Sequence, residues 1–227
     1  NPLCGRNFEY YSEDPLLAGK FGAAFVRGVQ SMGVSACVKH FALNNQENFR
    51  FVGNSVADER AIREIYLKPF ETTVKEGKPG AVMSSYNRVN GTFACENKWL
   101  LTDVLRTEWG FDGIVMSDWG GTHDRIAGIR AGEDLEMPGD TAVSLKKVYD
   151  ALSDGSLSED EANTSISRIL AATEKFASAS KTESFDRDAH SELAAEVATD
   201  SAVLMKNDGT LPLDITKTVC VIGELFE

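Results

Sequence analysis

The sequence is poor in several features that mark particular classes of protein. It has 4 cysteines in 227 residues, with no CxxC pair and no cluster of cysteine and histidine, which argues against a zinc site or a redox pair. No apolar run approaches the roughly 18 residues of a membrane-spanning helix. Lys and Arg number 23 against 35 Asp and Glu, so nucleic acid and anionic membranes are not expected partners. No metal or other cofactor is predicted.

The rest of the composition is that of an ordinary globular protein, with 42% hydrophobic and 26% charged residues. Apolar runs typical of buried strands alternate with amphipathic helical patterns. The strands are predicted at 35–41, 81–86, 113–118 and, more weakly, 134–137, and the helices at 15–32, 58–76, 97–109 and 122–132. Pro69 predicts a break in the second helix at Leu67-Lys68. This alternation predicts βα units around a parallel sheet, an α/β fold.

The strand signal stops after residue 141, which indicates a change in organisation. Helices are predicted at 142–153, 158–176 and about 188–201, and a strand at 218–223. Four strands do not close an eight-stranded barrel, which takes about 250 residues. We therefore expect the later half of a (β/α)8 TIM-like barrel followed by the first elements of another domain. The predicted divisions are 1–176 for the partial catalytic barrel, 177–189 for a linker and 190–227 for the start of a second α/β domain.

The two ends of the chain give a further expectation. It begins at Asn1-Pro2, without a methionine or a signal-like segment, and it ends in a predicted strand that has no later partner. A lone terminal strand cannot satisfy its backbone groups, so we expect an excerpt of a longer protein. The cellular location is left open, with the cytoplasm favoured, and the oligomeric state is not predicted.

Polar residues stand where each predicted strand ends. Lys39-His40, Tyr86-Asn87 and Asp118-Trp119 end three strands, and Arg6 lies on the loop before the first helix. Taken singly, Asp118 could cap the next helix and the others could be core or rim residues. Burying Lys, Arg and Asp together costs several kcal/mol unless they pair with one another or with a ligand. The strand ends of a barrel share one face, so this pattern predicts a ligand site there.

These side chains suit carbohydrate chemistry. Sugar hydroxyls both donate and accept hydrogen bonds, so cationic, imidazole, phenol and carboxylate groups can each bind them. Trp119 and Phe41 are candidate platforms for the apolar faces of sugar rings. A retaining glycosidase uses one carboxylate to attack the anomeric carbon and another carboxyl group to protonate the leaving oxygen. Asp118, among cationic side chains, is the candidate nucleophile.

Seven sequence blocks, taken in order, resemble glycoside hydrolase family 3, with bacterial β-glucosidases as the nearest branch. The order of the blocks is more specific than any one of them. They are GRNFEYYSEDP (5–15), KHFALNNQE (39–47), SVADERAIREIYLKPF (55–70), AVMSSYNRVNG (81–91), GIVMSDWG (113–120), EDLEMPG (133–139) and VLMKNDGTLPL (203–213).

The resemblance implies a retaining exo-acting enzyme that hydrolyses terminal non-reducing β-D-glucosyl residues of a β-linked oligosaccharide or glucoside, and an α/β sandwich as the second domain. It implies these roles: Asp118 as nucleophile, Arg6, Lys39 and His40 binding sugar hydroxyls, Tyr86 beside the nucleophile, and Met83 and Trp119 lining the pocket. The acid/base glutamate of this branch is expected outside the chain, in the remainder of its own polypeptide.

Two in-chain carboxylates and one missing motif refine this expectation. Glu47 and Glu136 do not match the position of the acid/base, and we expect them to be structural or to support site residues. KHFALNNQE lacks the Gly-His-Gly-Asp continuation of the family's N-acetylglucosaminidase branch, which favours a glucosidase or a β-xylosidase. Two other readings stay open: a Schiff-base aldolase that uses Lys39, and a catalytically inactive carbohydrate-binding fragment for the isolated chain.

Overall fold

A computed structural model describes residues 4–139, 142–179 and 184–223. The chain divides into two compact units, Asn1–Lys181 and Thr182–Glu227. None of the helices in the described ranges combines the length and the apolar character that crossing a membrane requires. The strands are β1 (Cys37–Phe41), β2 (Asn54–Ser55), β3 (Ala81–Ser84), β4 (Arg88–Val89), β5 (Thr92–Phe93) and β6 (Ile114–Met116).

The first unit is built on a parallel sheet with strand order β1-β3-β6. Val38 pairs with Val82, and Val82 pairs with Val115, so these three residues lie side by side across the sheet. The short strands β2, β4 and β5 form a separate sheet beside it. Because all three strands of the main sheet run the same way, their carboxyl ends meet at one edge, as the alternation of strands and helices predicted.

The predicted strand at 134–137 is wrong: only Leu135 pairs with the sheet, as a single parallel bridge to Met116. The carboxylate of Asp134 accepts a hydrogen bond from the Val115 amide at 2.9 Å. The Asp134 and Leu135 amides both donate to the Val115 carbonyl, at 2.8 and 3.1 Å. Since side chain and backbone share the Val115 groups in this way, a regular ladder does not form.

Helices connect and cover these strands. They are α1 (Pro15–Ser31), α2 (Glu59–Ala61) with a π-helical segment (Ile62–Tyr66), α3 (Lys68–Thr72) with a π-helical segment (Thr73–Gly77), a π-helical segment (Trp99–Glu108), α4 (Arg125–Ala131), α5 (Val143–Ser153), α6 (Glu159–Ala179) and α7 (Arg187–Asp200). Asp14 caps α1 by accepting hydrogen bonds from the Leu16 and Leu17 amides. The predicted break at Leu67 is confirmed, since the segment Ile62–Tyr66 ends before it and α3 begins after it.

The core of the first unit lies between the sheet and these helices. Val82 and Val115 are fully buried there against leucines of the segment Trp99–Glu108. Phe41 is also fully buried, and its ring meets those of Phe70 and Trp109 edge-on at 5.1 and 5.8 Å. Phe41 therefore cannot stack on a sugar, and the prediction of an aromatic platform there is wrong. A register shift in β1 between Val38 and Phe41 changes the side to which these residues point.

The second unit contains α7, which Asp186 caps. The strand predicted at 218–223 is wrong: these residues form no strand, and no strand of the described residues pairs with them. At the junction with the first unit, α6 extends to Ala179 and α7 begins at Arg187. Residues 177–179 and 187–189 of the predicted linker 177–189 are therefore helical, and its residues 180–183 lie outside the described residues. The division into domains stays a prediction.

Candidate active site

Asp118 lies two residues beyond the end of β6 and is 8% exposed. Its Oδ1 accepts a hydrogen bond from the Trp119 amide at 2.7 Å, and its carbonyl accepts one from Gly121 at 2.9 Å. The following helix α4 is capped by Asp124, which accepts from two amides of its first turn. Helix capping is therefore not the role of Asp118, and its carboxylate is held in a tight turn at the carboxyl edge of the sheet.

The second oxygen of Asp118 faces two basic side chains. Nη1 of Arg6 lies 4.0 Å from Oδ2, and Nε2 of His40 lies 3.5 Å from the same atom. Oδ2 is buried and has no hydrogen-bond partner among the described residues. A buried carboxylate oxygen that faces donors without bonding them closely is free to bond to another group.

Asp118, Arg6, His40, Lys39 and Glu9 form one cluster of charged and polar side chains. Glu9 joins its two cationic side chains, and the sequence analysis did not identify it. Its carboxylate forms an ion pair with Nε of Arg6, and its Oε2 lies 3.3 Å from Nζ of Lys39. Burial alone would raise the pKa of Glu9, but its bonds to Arg6 and Lys39 hold that pKa below its usual value. The available signal was its place three residues after Arg6, within one helical turn (Asn7–Glu9).

His40 is enclosed by this cluster, with its side chain 1% exposed. Its Nδ1 lies 3.1 Å from the hydroxyl of Tyr10, another residue that sequence reasoning missed. Burial and the positive charge of Arg6 lower the pKa of His40 to about 4, against the opposing effect of Asp118. The imidazole is therefore neutral near pH 7.

Tyr86 is buried on the loop after β3, next to Asp118. Burial and the nearby Asp118 carboxylate raise the pKa of Tyr86 to about 12. The guanidinium of Arg50 lies 4.5 Å from the centre of the Tyr86 ring and pairs with Glu47 at 2.6 Å. Glu47 is thus bound to a neighbour of the cluster, and Arg50 is a further basic residue that sequence reasoning missed.

The remaining predicted site residues are less enclosed. Trp119 is 62% exposed, and the side chain of Lys39 is 45% exposed. The expectation that the cations are buried together therefore applies to Arg6 and not to Lys39. Met83 is half-buried in β3 opposite Met116 and belongs to none of the ion pairs around Asp118. A cavity of about 430 Å³ adjoins the cluster, with Tyr10, Lys39 and His40 in its wall.

No group of three or more His, Cys, Asp or Glu side chains in the described parts of the chain is arranged to hold a metal ion. Among the free thiols, Cys95 is buried and Cys37 is exposed. The side chains around Asp118 are carboxylates, cations, an imidazole and a phenol.

Comparison with family profiles and with known proteins points to one family. The profile of the glycosyl hydrolase family 3 N-terminal domain matches residues 1–172. The thermostable beta-glucosidase B of Acetivibrio thermocellus is 48% identical over 226 residues, which are 98% of this chain and 30% of that protein. An exo-alpha-(1->6)-L-arabinopyranosidase of Bifidobacterium longum is 47% identical over 236 residues, covering 99% of this chain and 31% of that enzyme.

Solved structures agree with this match. Beta-glucosidase 3B of Thermotoga neapolitana in complex with glucose superposes with a TM-score of 0.88 at 45% identity, over 94% of this chain and 31% of that one. The beta-glucosidase of Kluyveromyces marxianus in complex with glucose gives a TM-score of 0.84 at 38% identity, over 93% of this chain and 27% of that one. The chain spans about a third of the length of these relatives. The predicted α/β fold is confirmed, and the chain belongs to glycosyl hydrolase family 3.

Proposed function

We propose that this chain is part of the catalytic domain of a retaining exo-acting β-glucosidase, with Asp118 as the nucleophile. The observation that carries the proposal is the buried Oδ2 of Asp118, which faces Arg6 and His40 without a hydrogen-bond partner among the described residues. Membership of the family and relatives named as beta-glucosidases support it.

In the first step, Oδ2 of Asp118 forms a bond to the anomeric carbon while the bond from that carbon to the leaving oxygen breaks. An acid/base carboxyl group, expected in the remainder of the polypeptide, protonates the leaving oxygen. In the second step that group takes a proton from water, and the water oxygen displaces Asp118. Arg6, Lys39 and His40 bind hydroxyls of the terminal sugar, and Tyr86, Met83 and Trp119 line its pocket.

The finer fold belongs to the same proposal. We interpret the sheet β1-β3-β6, with Leu135 beside β6, as consecutive strands in the later half of a (β/α)8 TIM-like barrel. The second unit would then contribute the first elements of an α/β sandwich domain. The carboxyl edge of the sheet, where Asp118 lies, corresponds to the face at which barrel enzymes bind their substrates.

The sugar in the first subsite is proposed to be β-D-glucose. The Thermotoga neapolitana and Kluyveromyces marxianus beta-glucosidase structures are complexes with glucose, whereas a relative of similar identity is an exo-alpha-(1->6)-L-arabinopyranosidase. A β-xylosidase therefore stays the second candidate, since arabinopyranose and xylopyranose both lack the hydroxymethyl group of glucose. Comparing kcat/KM on aryl β-glucoside, β-xyloside and α-L-arabinopyranoside decides among them.

The nucleophile is tested in the full natural polypeptide that contains these 227 residues, called the intact protein below. Asp118→Asn and Asp118→Gly are expected to lower turnover of an aryl β-glucoside by several orders of magnitude, because covalent catalysis is lost. A mechanism-based fluoro-sugar is expected to label a peptide that contains Asp118. The matched control is Asp112→Asn, an exposed carboxylate just before β6, which is expected to leave turnover unchanged. Wild-type activity of Asp118→Asn, or labelling of another peptide, would contradict the proposal.

Two alternatives are separated by further measurements. Lys39 is paired with Glu9 at 3.3 Å, which commits its ammonium to a carboxylate rather than to an imine. Borohydride with a carbonyl substrate is thus expected to leave Lys39 unlabelled. Residues 1–227 alone are expected to show no aryl β-glucosidase turnover, because the nucleophile needs an accurately completed pocket. Turnover by that chain, abolished by Asp118→Asn, would refute this expectation.

A further inference from the structure

We propose that Tyr10 is a positioning residue for the reaction: its hydroxyl donates to Nδ1 of His40 and thereby holds the single imidazole proton on Nε2, facing Asp118 and the sugar. This inference rests on the proposed function. It concerns which nitrogen of His40 presents a donor to the site.

The contact is formed by two well-anchored segments. Tyr10 follows the helical turn Asn7–Glu9 directly, and its amide donates to the Asn7 carbonyl at 3.1 Å. Its hydroxyl lies 3.1 Å from Nδ1 of His40, which is part of β1. The two rings are tilted by 52° with their centres 6.4 Å apart, so the contact is made through the hydroxyl and not by stacking.

The protonation of both partners allows the Tyr10 hydroxyl to donate this hydrogen bond to His40. The groups that face His40 are Arg6, Lys39, Glu9 and Asp118, and burial with the charge of Arg6 keeps the imidazole neutral. A neutral imidazole has one N–H donor and one acceptor nitrogen. Tyr10 is 38% exposed overall, but partial burial raises its pKa to about 12, so its hydroxyl keeps its proton and can donate throughout the neutral range.

The second nitrogen completes the assignment. Nε2 of His40 lies 3.5 Å from Oδ2 of Asp118, and an ionised carboxylate only accepts hydrogen bonds. A proton on Nε2 makes this contact attractive, whereas a lone pair there would face another lone pair. The proton therefore belongs on Nε2, and Nδ1 accepts the hydrogen bond that the Tyr10 hydroxyl donates. With the opposite tautomer, His40 would offer no donor to a sugar hydroxyl from Nε2.

The neighbouring tyrosine provides a matched control. Tyr11 differs from Tyr10 by one position, and its ring stacks on Phe21 with centres 5.8 Å apart. Tyr10→Phe and Tyr11→Phe each remove one hydroxyl from the same loop. Only the first removes the donor to His40.

The experiment uses the intact protein and two readouts. The ring ¹⁵N resonances of His40 are identified by their loss in His40→Gln, and they report the tautomer directly. Tyr10→Phe is expected to move His40 from the Nε2–H form to a mixture, and to lower kcat/KM on an aryl β-glucoside about tenfold, the loss typical of one hydrogen bond. Tyr11→Phe is expected to change neither.

The possible outcomes separate the two proposals. An unchanged Nε2–H tautomer in Tyr10→Phe would overturn the positioning role, even if the variant were less stable to heat. A changed tautomer with wild-type kcat/KM would overturn it equally. Wild-type activity of Asp118→Asn would instead refute the proposed nucleophile, and the tautomer measurement would still decide whether Tyr10 orients His40.

Discussion

Replacing Asp134 by alanine is expected to destabilise the first unit by about 4 kcal/mol, because it removes the partner of a buried guanidinium. The Asp134 side chain is fully buried. Its carboxylate accepts from Nη2 of Arg106 at 2.6 Å, from the Val115 amide at 2.9 Å and from Nη1 of Arg168 at 3.1 Å. One side chain thus connects the segment Trp99–Glu108, β6 and α6.

The magnitude follows from what each group loses. Breaking a buried ion pair from one side costs about 3–5 kcal/mol, since the other charge stays buried. The side chain of Arg106 is 8% exposed but also donates to the carbonyls of Gly113 and Gly132 at 3.0 Å. These bonds place the cost of leaving Arg106 without Asp134 at the lower end of that range. The orphaned Val115 amide adds about 1 kcal/mol. Asp134→Asn keeps the shape and loses the charge, so its effect is expected to be smaller, about 2–3 kcal/mol.

Hydrogen exchange in the intact protein measures this effect within the first unit, because the protection of the Val115 amide reports the opening of β6. The matched control is Asp150→Ala, which breaks an exposed pair with Lys146 at 2.6 Å and is expected to cost less than about 1 kcal/mol. Equal protection of β6 in Asp134→Ala and Asp150→Ala would refute the reasoning, since buried and exposed ion pairs would then contribute alike.

Three further predictions concern other sites. Burial raises the pKa of Glu133 from 4.5 to about 7, so the folded state holds a proton that the unfolded state loses. The free energy of unfolding is therefore expected to fall as the pH rises from 4.5 to 7, by at most about 3 kcal/mol. A Glu133→Gln variant whose free energy of unfolding, measured by denaturation, falls equally over this pH range would contradict the assignment. Gly113→Ala would place a Cβ against the backbone oxygen of Gly80 and is expected to lower Tm. Gly28→Ala places its Cβ in open space on α1 and is not expected to lower Tm, so equal Tm values for the two variants would argue against the clash. Lys39→Ala is expected to raise KM and lower kcat together, and a variant changed only in Tm would remove Lys39 from the site.

The main strands and helices could be predicted from the sequence because their signals are local. The apolar runs at 35–41, 81–86 and 113–118 contain β1, β3 and β6, and the position of Pro69 predicted the break at Leu67. The absence of a strand at 134–137 could not be predicted from local signals. It depends on the bonds between Asp134 and Val115, and such tertiary contacts override a weak strand preference.

The candidate site could be located from the sequence but not assembled from it. Strand ends identified Asp118 and His40, and the loop before the first helix identified Arg6. The fold brings Arg6 and His40 within 4.0 Å of the Asp118 carboxylate. The hydrogen bond from Tyr10 joins residues 30 positions apart, and no spacing rule predicts it. The burial of Phe41 could not be predicted from the sequence either, because the register of β1 shifts before that residue and its ring packs against Phe70 and Trp109.

The arrangement around Asp118 distributes its charges in a way that suits the proposed nucleophile. Glu9 binds Nε of Arg6 and the ammonium of Lys39, so one carboxylate holds both cations in place. Nη1 of Arg6 then remains directed at Asp118, and the neutral imidazole of His40 adds a donor without adding charge. Two cations stand beside two carboxylates, and Oδ2 faces its basic neighbours without being consumed by a close ion pair. A carboxylate in that state can still form a bond to carbon, which is what a nucleophile at this position has to do.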